Sequence, residues 1–224
     1  MSTESRSALV LGGSGLIGRL LLDQLATSDR YSQVTVLLRR EQPMPAAHLH
    51  CVTADYESLI NAPADYAELL AVDDVFCCLG TTIKTVGGDK AQFYRIDHDY
   101  PVELAKLSQD NGAKRFFVVS ALGASSQSKV YYNQVKGDME RDLTALKFDA
   151  LHIYQPSLLI GKRDHLDQPS RSGEGIGQAL MPLLNPFLMG GLKKYRPTLA
   201  EHVAEAMLAD AERDSRGVEV HHFE

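Results

Sequence analysis

The sequence predicts an α/β fold: a Rossmann-like doubly wound parallel sheet with a small substrate-side cover. Short apolar segments alternate with helical patterns along the chain, which is typical of βαβ units. The predicted strands are almost continuously apolar, as expected for strands that helices cover on both faces. A third observation is a glycine-rich segment directly after the first apolar one. With 224 residues, we expect a single domain spanning positions 1–224.

The apolar segments and helical spacings predict the elements in order. The predicted strands are Ala8–Leu11, Val34–Leu38, Leu49–Val52, Val75–Leu79, Phe116–Ser120 and Leu151–Tyr154, with a short last strand at Val218–His222. The predicted helices, with apolar residues at helical spacing, are Leu16–Ala26, Tyr100–Asp110, Val130–Leu146 and Glu201–Glu212. Right-handed crossovers between such units produce a doubly wound sheet.

The segment at positions 161–196 interrupts the alternation of strands and helices. It is rich in Gly, Pro, Ser and Arg, and it contains one apolar stretch, "IGQALMPLLNPFLMGGL". Loops that follow late strands of an open sheet lie over the ligand cleft. We therefore interpret the segment as the substrate-side cover, and a surface excursion with a packing helix is the alternative.

Composition and charge exclude several classes of protein. The formal net charge of −6, with no basic run, argues against nucleic-acid or membrane-surface partners. No apolar stretch approaches the ~20 residues of a membrane span, and the N-terminus "MSTESRSALV" does not resemble a signal peptide. Three cysteines suit a reduced protein, so we expect a cytoplasmic location. The histidines and cysteines form no zinc pattern, so we expect no metal.

The glycine-rich segment "ALVLGGSGLIGRLLLDQL" predicts a dinucleotide site, because it lies between a strand and a helix. Gly12 permits a sharp turn, Gly15 permits the closest approach to a pyrophosphate, and Gly18 permits close packing of the helix. The N–H groups at the start of the helix then face the anion. The residues of this loop predicted to bind the cofactor are Gly12, Ser14, Gly15, Leu16, Ile17 and Gly18.

The ends of the next strands predict which dinucleotide binds. Arg39 and Arg40 stand where an acidic residue would bind the ribose of NAD(H), and their fork geometry matches a 2′-phosphate. We therefore predict NADP(H) rather than NAD(H). Asp55 either accepts a hydrogen bond from the adenine amino group or caps the helix that follows it. The end of the fourth strand is predicted to pass beside the adenosine ribose, through Leu79, Gly80 and Thr81.

A second cluster of candidate residues lies in and before "VYYNQVKGDMERDL". Helical residues four apart lie about 40° apart around the axis, so Tyr132 and Lys136 share a face while Tyr131 points elsewhere. Ser120 closes the fifth predicted strand, and the carboxyl ends of the strands face the cofactor cleft. These positions predict that Ser120, Tyr132 and Lys136 converge beside the nicotinamide.

The chemistry of a carbonyl reduction needs these residue types. A free tyrosine has a pKa near 10, and a nearby ammonium lowers that pKa toward the range useful for proton transfer. A serine hydroxyl can donate to a substrate carbonyl oxygen during the reaction. Lys136 is also expected to hold the hydroxyls of the nicotinamide ribose. These residues are therefore the candidate catalytic groups.

Together these residues resemble the short-chain dehydrogenase/reductase superfamily. The stretches "CCLGTT", "FYRIDHDYPVELAKLSQDNGAKRFFVVSALGA", "YYNQVKGDMERDL" and "SRSGE" are similar to its atypical, Tat-interacting-protein-like branch. The resemblance implies a Rossmann-like domain that binds NADPH, with the tyrosine, lysine and serine in reductase roles. Within "YQPSLLIG", it also implies that Pro156 lies near the nicotinamide.

Two departures from the superfamily pattern keep several functions open. The position that resembles the relay asparagine of many members is Asp97 here, so either Asp97 replaces the asparagine or the relay is lost. The chain is also too short for a full substrate domain of the extended type. The leading interpretation is an NADP(H)-dependent oxidoreductase acting on a small carbonyl or alcohol. The alternatives are a nucleotide-sugar-type epimerase or dehydratase and a non-catalytic NADPH-binding regulatory module. The substrate and the oligomeric state stay open.

Overall fold

The structure, a computed structural model, describes residues 5–161 and 196–223 and confirms the doubly wound architecture. Its main sheet has seven parallel strands in the order β3-β2-β1-β4-β5-β6-β9. These strands are β1 Arg6–Leu11, β2 Tyr31–Leu38, β3 Leu49–Thr53, β4 Asp74–Cys77, β5 Arg115–Val119, β6 Ala150–Gln155 and β9 Gly217–His222. A small second sheet pairs β7 Leu159–Ile160 with β8 Thr198–Leu199.

The helices lie between the strands as the sequence predicts, with additional short ones. The described helices are α1 Leu16–Leu25, α2 Tyr56–Asn61, α3 Ala67–Leu70, α4 Lys90–Tyr94, α5 Tyr100–Asp110, α6 Tyr131–Leu146 and α7 Ala200–Glu212. A 3-10 turn at Pro63–Tyr66 precedes α3, and a π-helical turn at Arg95–Asp99 joins α4 to α5. Among the residues described, no helix is both long and apolar enough to cross a membrane. The predicted cover, apart from its two end residues, falls outside the described ranges.

The core lies in two layers, one on each face of the sheet. Helices α1 and α7 cover one face, where Leu21, Leu25 and Met207 pack with no exposed surface. Helices α5 and α6 pack on the other face together with the shorter α2 and α3, and Leu104 and Leu143 are fully buried there. Burial on both faces explains why the strand sequences are almost continuously apolar.

A buried ion pair closes the amino end of the sheet. Asp74 and Arg115 begin β4 and β5 and lie opposite each other in the register. The Arg115 guanidinium donates through Nε to Asp74 Oδ1 at 2.7 Å, and through Nη2 to Asp74 Oδ2. Tyr31 donates its hydroxyl to the same carboxylate at 2.7 Å. Arg115 also donates to the carbonyl oxygens of Ala211 and Arg213, so it caps the C-terminal end of α7.

Candidate active site

The glycine loop has the close packing that a phosphate-binding turn requires. Gly12 has a φ of +79°, and a Cβ there would lie 2.7 Å from the carbonyl carbon of Cys78. A Cβ on Gly18 would come closer than 3.0 Å to the Gly12 carbonyl oxygen. Gly15 differs: its φ of −77° is ordinary, and its Cβ would lie 3.3 Å from that oxygen. The protein's own packing therefore requires Gly12 and Gly18 more strongly than Gly15.

The other loop residues contribute to a cofactor site in different ways. Gly15 is the N-cap residue of α1, so the first N–H groups of that helix are directed out of its N-terminal end. Ile17 is buried in the core, and so it can offer a ligand only its backbone. Ser14 uses its carbonyl oxygen to accept a hydrogen bond from Arg19 Nε at 3.3 Å. Leu16 lies beside Gly161 at the start of the cover segment.

The residues predicted for the adenosine side lie at the ends of β2 and β3. Arg39 and Arg40 are exposed directly after β2, which leaves their guanidinium groups accessible to a phosphate. Asp55 caps α2: its carboxylate accepts from Ser58 N at 2.8 Å and from Ser58 Oγ at 2.7 Å. The capping alternative is therefore observed, and the contact of Asp55 with adenine stays a prediction.

Tyr56 is a residue of this region that the sequence analysis missed. Burial raises the pKa of its hydroxyl, whereas the Gly12 backbone and the charge of Arg39 oppose that rise. The side chain is thus close to both the glycine loop and the end of β2. The sequence carries no distinctive signal for a site role of Tyr56, because a tyrosine at this position is equally typical of the first residue of a helix such as α2.

The end of β4 leads directly to the candidate catalytic lysine. β4 ends at Cys77 rather than at the predicted Leu79, and Leu79, Gly80 and Thr81 continue as irregular chain. The Thr81 N–H donates to Asp97 Oδ2 at 2.8 Å, and Asp97 Oδ1 lies 2.9 Å from Lys136 Nζ. A Cβ on Gly80 would lie 3.5 Å from Asp97 Oδ1 and 3.9 Å from Lys136 Nζ. The predicted ribose-side backbone is thus adjacent to Lys136.

Asp97, at the position that resembles the relay asparagine of the superfamily, forms an ion pair with Lys136. It lies in the π-helical turn at Arg95–Asp99, and both side chains of the pair are buried. Burial alone lowers the pKa of Lys136, but Asp97 and then Tyr132 raise it, and the resulting pKa is above the ordinary value. Lys136 is therefore a stable ammonium, and Asp97 offsets part of the positive field that it exerts on Tyr132.

The two adjacent tyrosines of α6 have different surroundings. The Tyr131 hydroxyl donates to the Lys90 carbonyl oxygen at 3.0 Å, and Lys90 Nζ lies 5.1 Å from the centre of the Tyr131 ring. Tyr131 is thus held against α4, as its position off the lysine face predicts. The Tyr132 ring lies 5.8 Å from that of Phe93 and interacts electrostatically with Lys136.

Helix α6 packs closely on the loop that follows Ser120. A Cβ on Gly137 would come closer than 3.0 Å to the backbone of Ser125 and Ser126. The Ser125 N–H also donates to the carbonyl oxygen of Asn133 at 2.9 Å. This glycine, directly after Lys136, therefore sets how near the helix approaches the loop.

Ser120 directly follows β5, and its hydroxyl has a partner that the sequence analysis missed. The Ser120 N–H donates to the Tyr154 carbonyl oxygen at 2.7 Å, and its hydroxyl donates to Glu140 Oε1. Gln155 Nε2 donates to both oxygens of Glu140, at 2.9 and 3.0 Å. The only available sequence signal was the position of Glu140, four residues after Lys136 on the same helix.

Pro156 links the loops that follow β5 and β6. Its carbonyl oxygen accepts a hydrogen bond from the Leu122 N–H at 2.8 Å. The strand before it ends at Gln155, so Pro156 stands at the carboxyl end of the sheet, where the resemblance placed it. Its contact with the nicotinamide stays a prediction.

A separate polar cluster lies on the face of the sheet that α7 covers. The possible ligand atoms of His152, Asp210 and His221 all lie within 4.8 Å of one another. His152 Nδ1 is 3.0 Å from His221 Nε2 while the ring centres are 5.3 Å apart, so the two nitrogens point at each other. Ser215 Oγ lies 2.7 Å from His152 Nε2, and Tyr154 donates to Asp210 at 2.8 Å. Hydrogen bonding accounts for this cluster.

Comparison with known proteins agrees with the fold and with the binding of an NAD(P)-type cofactor. A family model described as NAD(P)H-binding matches residues 12–159. Protein HTATIP2 of Rattus norvegicus is 35% identical over 179 residues, which cover 78% of this chain and 70% of the relative. Protein FMP52 of Eremothecium gossypii is 37% identical over 217 residues, covering 94% and 90% of the two chains.

Solved structures show the same architecture at much lower identity. MoeE5 in complex with UDP-glucose and NAD has a TM-score of 0.69 and 18% identity, covering 96% of this chain and 74% of its own. A putative NAD-dependent epimerase/dehydratase from Bacillus halodurans has a TM-score of 0.66 and 18% identity, covering 96% and 92%. These likenesses concern the fold.

The relatives also correct one expectation and establish the family. The FMP52 proteins of Eremothecium gossypii and Saccharomyces cerevisiae are named as mitochondrial, which contradicts the expected cytoplasmic location. The cysteine count had suggested reducing conditions, which do not distinguish one compartment from another. With the match over residues 12–159 and the identities to HTATIP2 and FMP52, the chain belongs to the NAD(P)H-binding family that includes these proteins.

Proposed function

We propose that the protein is an NADP(H)-dependent oxidoreductase of the atypical short-chain dehydrogenase/reductase type, acting on a small carbonyl or alcohol. The observation that carries the proposal is the position of Lys136. It is buried on α6, one turn after Tyr132, and it lies beside Gly80 at the end of β4. A lysine in that place can serve a cofactor and a proton-transferring tyrosine together.

The residues of the site fit a dinucleotide. The tight turn through Gly12 and Gly18 leaves no room for a Cβ against the protein's own backbone, and the N-terminal end of α1 that follows this turn favours an anion. The Lys136 ammonium has three N–H donors and forms an ion pair with Asp97 Oδ1 at 2.9 Å, so the nicotinamide ribose can use a further donor. When bound, NADP(H) would supply or accept the hydride.

The roles of the protein residues follow from their positions. Tyr132 gives its hydroxyl proton to the substrate oxygen during reduction and takes it back during oxidation. The ammonium of Lys136 stabilises the phenolate that this transfer leaves, and Asp97 keeps that ammonium protonated. Ser120, at the carboxyl end of β5, hydrogen-bonds to the same substrate oxygen.

The preference for NADP(H) rests on the two arginines after β2. Arg39 and Arg40 are exposed directly after β2, the strand end at which we expect the adenosine to bind, and a guanidinium binds phosphate oxygens in pairs. The adenosine ribose of NAD(H) lacks the 2′-phosphate, so NADP(H) gains interactions with the arginines that NAD(H) does not. This difference is testable by binding alone, without knowledge of the substrate.

The experiment combines cofactor titration with a substrate screen. Calorimetric titration with NADPH and NADH measures the two dissociation constants. NADPH oxidation is then followed with butanone, cyclohexanone, benzaldehyde and 9,10-phenanthrenequinone, a small panel of ketones, an aldehyde and a quinone. We expect tight NADPH binding and turnover of at least one compound. Tight binding without any turnover would favour a non-catalytic NADPH-binding module instead.

A further inference from the structure

The hydrogen bond between Ser120 and Glu140 has a direction that charge determines. A serine hydroxyl has one proton, and an ionised carboxylate only accepts hydrogen bonds. The proton of Ser120 therefore points to Glu140 Oε1. Gln155 Nε2 donates to both oxygens of the same carboxylate, at 2.9 and 3.0 Å, and so holds it in place. The three side chains form one ordered chain of donors and acceptors.

The direction of this bond limits what Ser120 can offer to a substrate. With its proton given to Glu140, the Ser120 oxygen has only lone pairs to offer a substrate. An alcohol can donate its O–H to such an oxygen, whereas a carbonyl oxygen has no proton to donate. A carbonyl ligand would therefore have to draw the Ser120 proton away from a carboxylate, and hydrogen bonds to charged acceptors are the stronger ones.

We propose that Glu140 is a positioning residue that holds the Ser120 proton away from the cleft, so that the site binds the alcohol form of its substrate in preference to the carbonyl form. This inference rests on the function proposed above, and it states which form of the substrate, alcohol or carbonyl, that site favours. Glu140 lies one turn after Lys136 on α6, so one helix carries the proton-transferring pair and the residue that orients Ser120.

Glu140→Gln is the variant that tests the orientation. Its amide oxygen can still accept from Gln155, while its NH₂ group can donate to the Ser120 oxygen and free the Ser120 proton. The side chain keeps its size, so the packing of α6 is preserved. The thermal midpoint of unfolding is measured first, to confirm that the variant is folded.

The probes are cyclohexanol and cyclohexanone, a matched alcohol and ketone. Cyclohexanol is titrated against the protein saturated with NADPH, and cyclohexanone against the protein saturated with NADP⁺, because neither mixture can react. Relative to the parent, Glu140→Gln should bind cyclohexanone about two- to tenfold more tightly and cyclohexanol about two- to tenfold more weakly, since each change corresponds to one hydrogen bond. Opposite signs for the two shifts are the result that a merely structural role does not produce.

Two controls locate the effect at Ser120. Asp138→Asn removes a carboxylate from the same helix, where it pairs with Arg141 at 2.7 Å, and should leave both affinities unchanged. In a Ser120→Ala background, Glu140→Gln should no longer shift the two affinities in opposite directions. Persistence of the opposite shifts in that background would overturn the role of Ser120 and with it the proposal.

The outcomes separate this inference from the proposed function. A parent protein that reduces none of the panel carbonyls with NADPH and oxidises none of the corresponding alcohols with NADP⁺ loses the proposed function and this inference together. A parent that turns over one of them, while the two probe affinities of Glu140→Gln are unchanged or shift with the same sign, retains the function and loses only the role of Glu140.

Discussion

Two buried ion pairs lie at opposite ends of the same sheet, and they serve different purposes. At the amino end, Asp74 and Arg115 begin neighbouring strands. At the carboxyl end, Asp97 and Lys136 come from a π-helical turn and from α6, with 2.9 Å between the carboxylate and the ammonium. Both pairs are nearly inaccessible to solvent, so burial alone does not distinguish them.

The two ion pairs differ in the hydrogen-bonding groups that surround them. The guanidinium of Arg115 binds its carboxylate with two donors and gives further hydrogen bonds to the carbonyl oxygens of Ala211 and Arg213, so this pair joins the sheet to α7. Lys136 carries a compact ammonium beside Gly80 and near Tyr132. A planar guanidinium with many donors suits a structural junction, whereas an ammonium with donors to spare suits a site that receives a ligand.

Breaking the amino-end pair should cause the largest loss of stability. Arg115→Met removes the two-donor partner of the buried Asp74 carboxylate, leaves only Arg6 Nη1 at 3.6 Å as its ion-pair partner among the residues described, and removes the cap of α7; such a loss typically costs about 3–5 kcal/mol of unfolding free energy. Urea denaturation measures this loss. Arg141→Met is the matched control, because Arg141 forms an exposed pair and should cost less than about 1 kcal/mol. Equal losses for the two variants would contradict a structural role for Asp74–Arg115.

Tyr132→Phe tests the site at the carboxyl end of the sheet. It should lower the turnover rate without destabilising the fold. Loss of the hydroxyl removes the proton donor, and such effects are typically a factor of about 10²–10⁴ in turnover. NADPH affinity and the unfolding free energy should stay close to those of the parent. Tyr131→Phe is the control, since its hydroxyl binds the Lys90 carbonyl oxygen and lies off the lysine face. If only Tyr131→Phe lost activity, the assignment of the two tyrosines would be reversed.

Gly15→Val should weaken cofactor binding while the fold survives. The φ of Gly15 is ordinary, and the nearest protein atom to an added Cβ is 3.3 Å away, so the side chain mainly obstructs a ligand. Calorimetric titration should show that most of the NADPH affinity is lost. Gly18→Val is the contrasting change, because its Cβ would collide with the Gly12 backbone and destabilise the fold itself. Unchanged NADPH affinity in Gly15→Val would show that the pyrophosphate lies elsewhere.

Arg39→Asp should reduce the preference for NADPH over NADH. A hydrogen bond to a charged group contributes about 1.5–3 kcal/mol, which corresponds to about one to two powers of ten in affinity. The ratio of the two dissociation constants, compared with that of the parent, measures the change. Equal affinities for NADPH and NADH in the parent would already refute the role of Arg39 and Arg40.

Asp97→Asn should have the smallest effect on kcat/KM at neutral pH and a clear effect on kcat/KM in alkaline solution. Asp97 raises the pKa of Lys136 against burial, which lowers it, so the variant should have a lower Lys136 pKa. A function that needs the ammonium is present below that pKa and is lost as the pH rises through it. The alkaline decline of kcat/KM should therefore begin at a lower pH than in the parent. An identical pH profile would show that Asp97 does not maintain the charge of Lys136.

The sequence was sufficient for the features that are local in the chain. Helical spacing placed Tyr132 and Lys136 on one face, and the glycine pattern located the turn after β1. The short helices α3 and α4 were not predicted, because segments of four or five residues are too short to show a period. The ion pair of Asp97 with Lys136 and the bond of Ser120 to Glu140 join residues 39 and 20 positions apart in the chain, and only the packing of α6 on the sheet brings them together.

The contact at Gly137 couples helix α6 to the loop after β5, two segments that are separate in the sequence. With backbone against backbone there, and Ser125 bonded to Asn133, the loop after β5 cannot shift without carrying the first turns of α6 with it. Those turns hold Tyr132 and Lys136. A ligand that contacts this loop is therefore mechanically coupled to Tyr132 and Lys136, and we expect the free energy of its docking to contribute to their alignment.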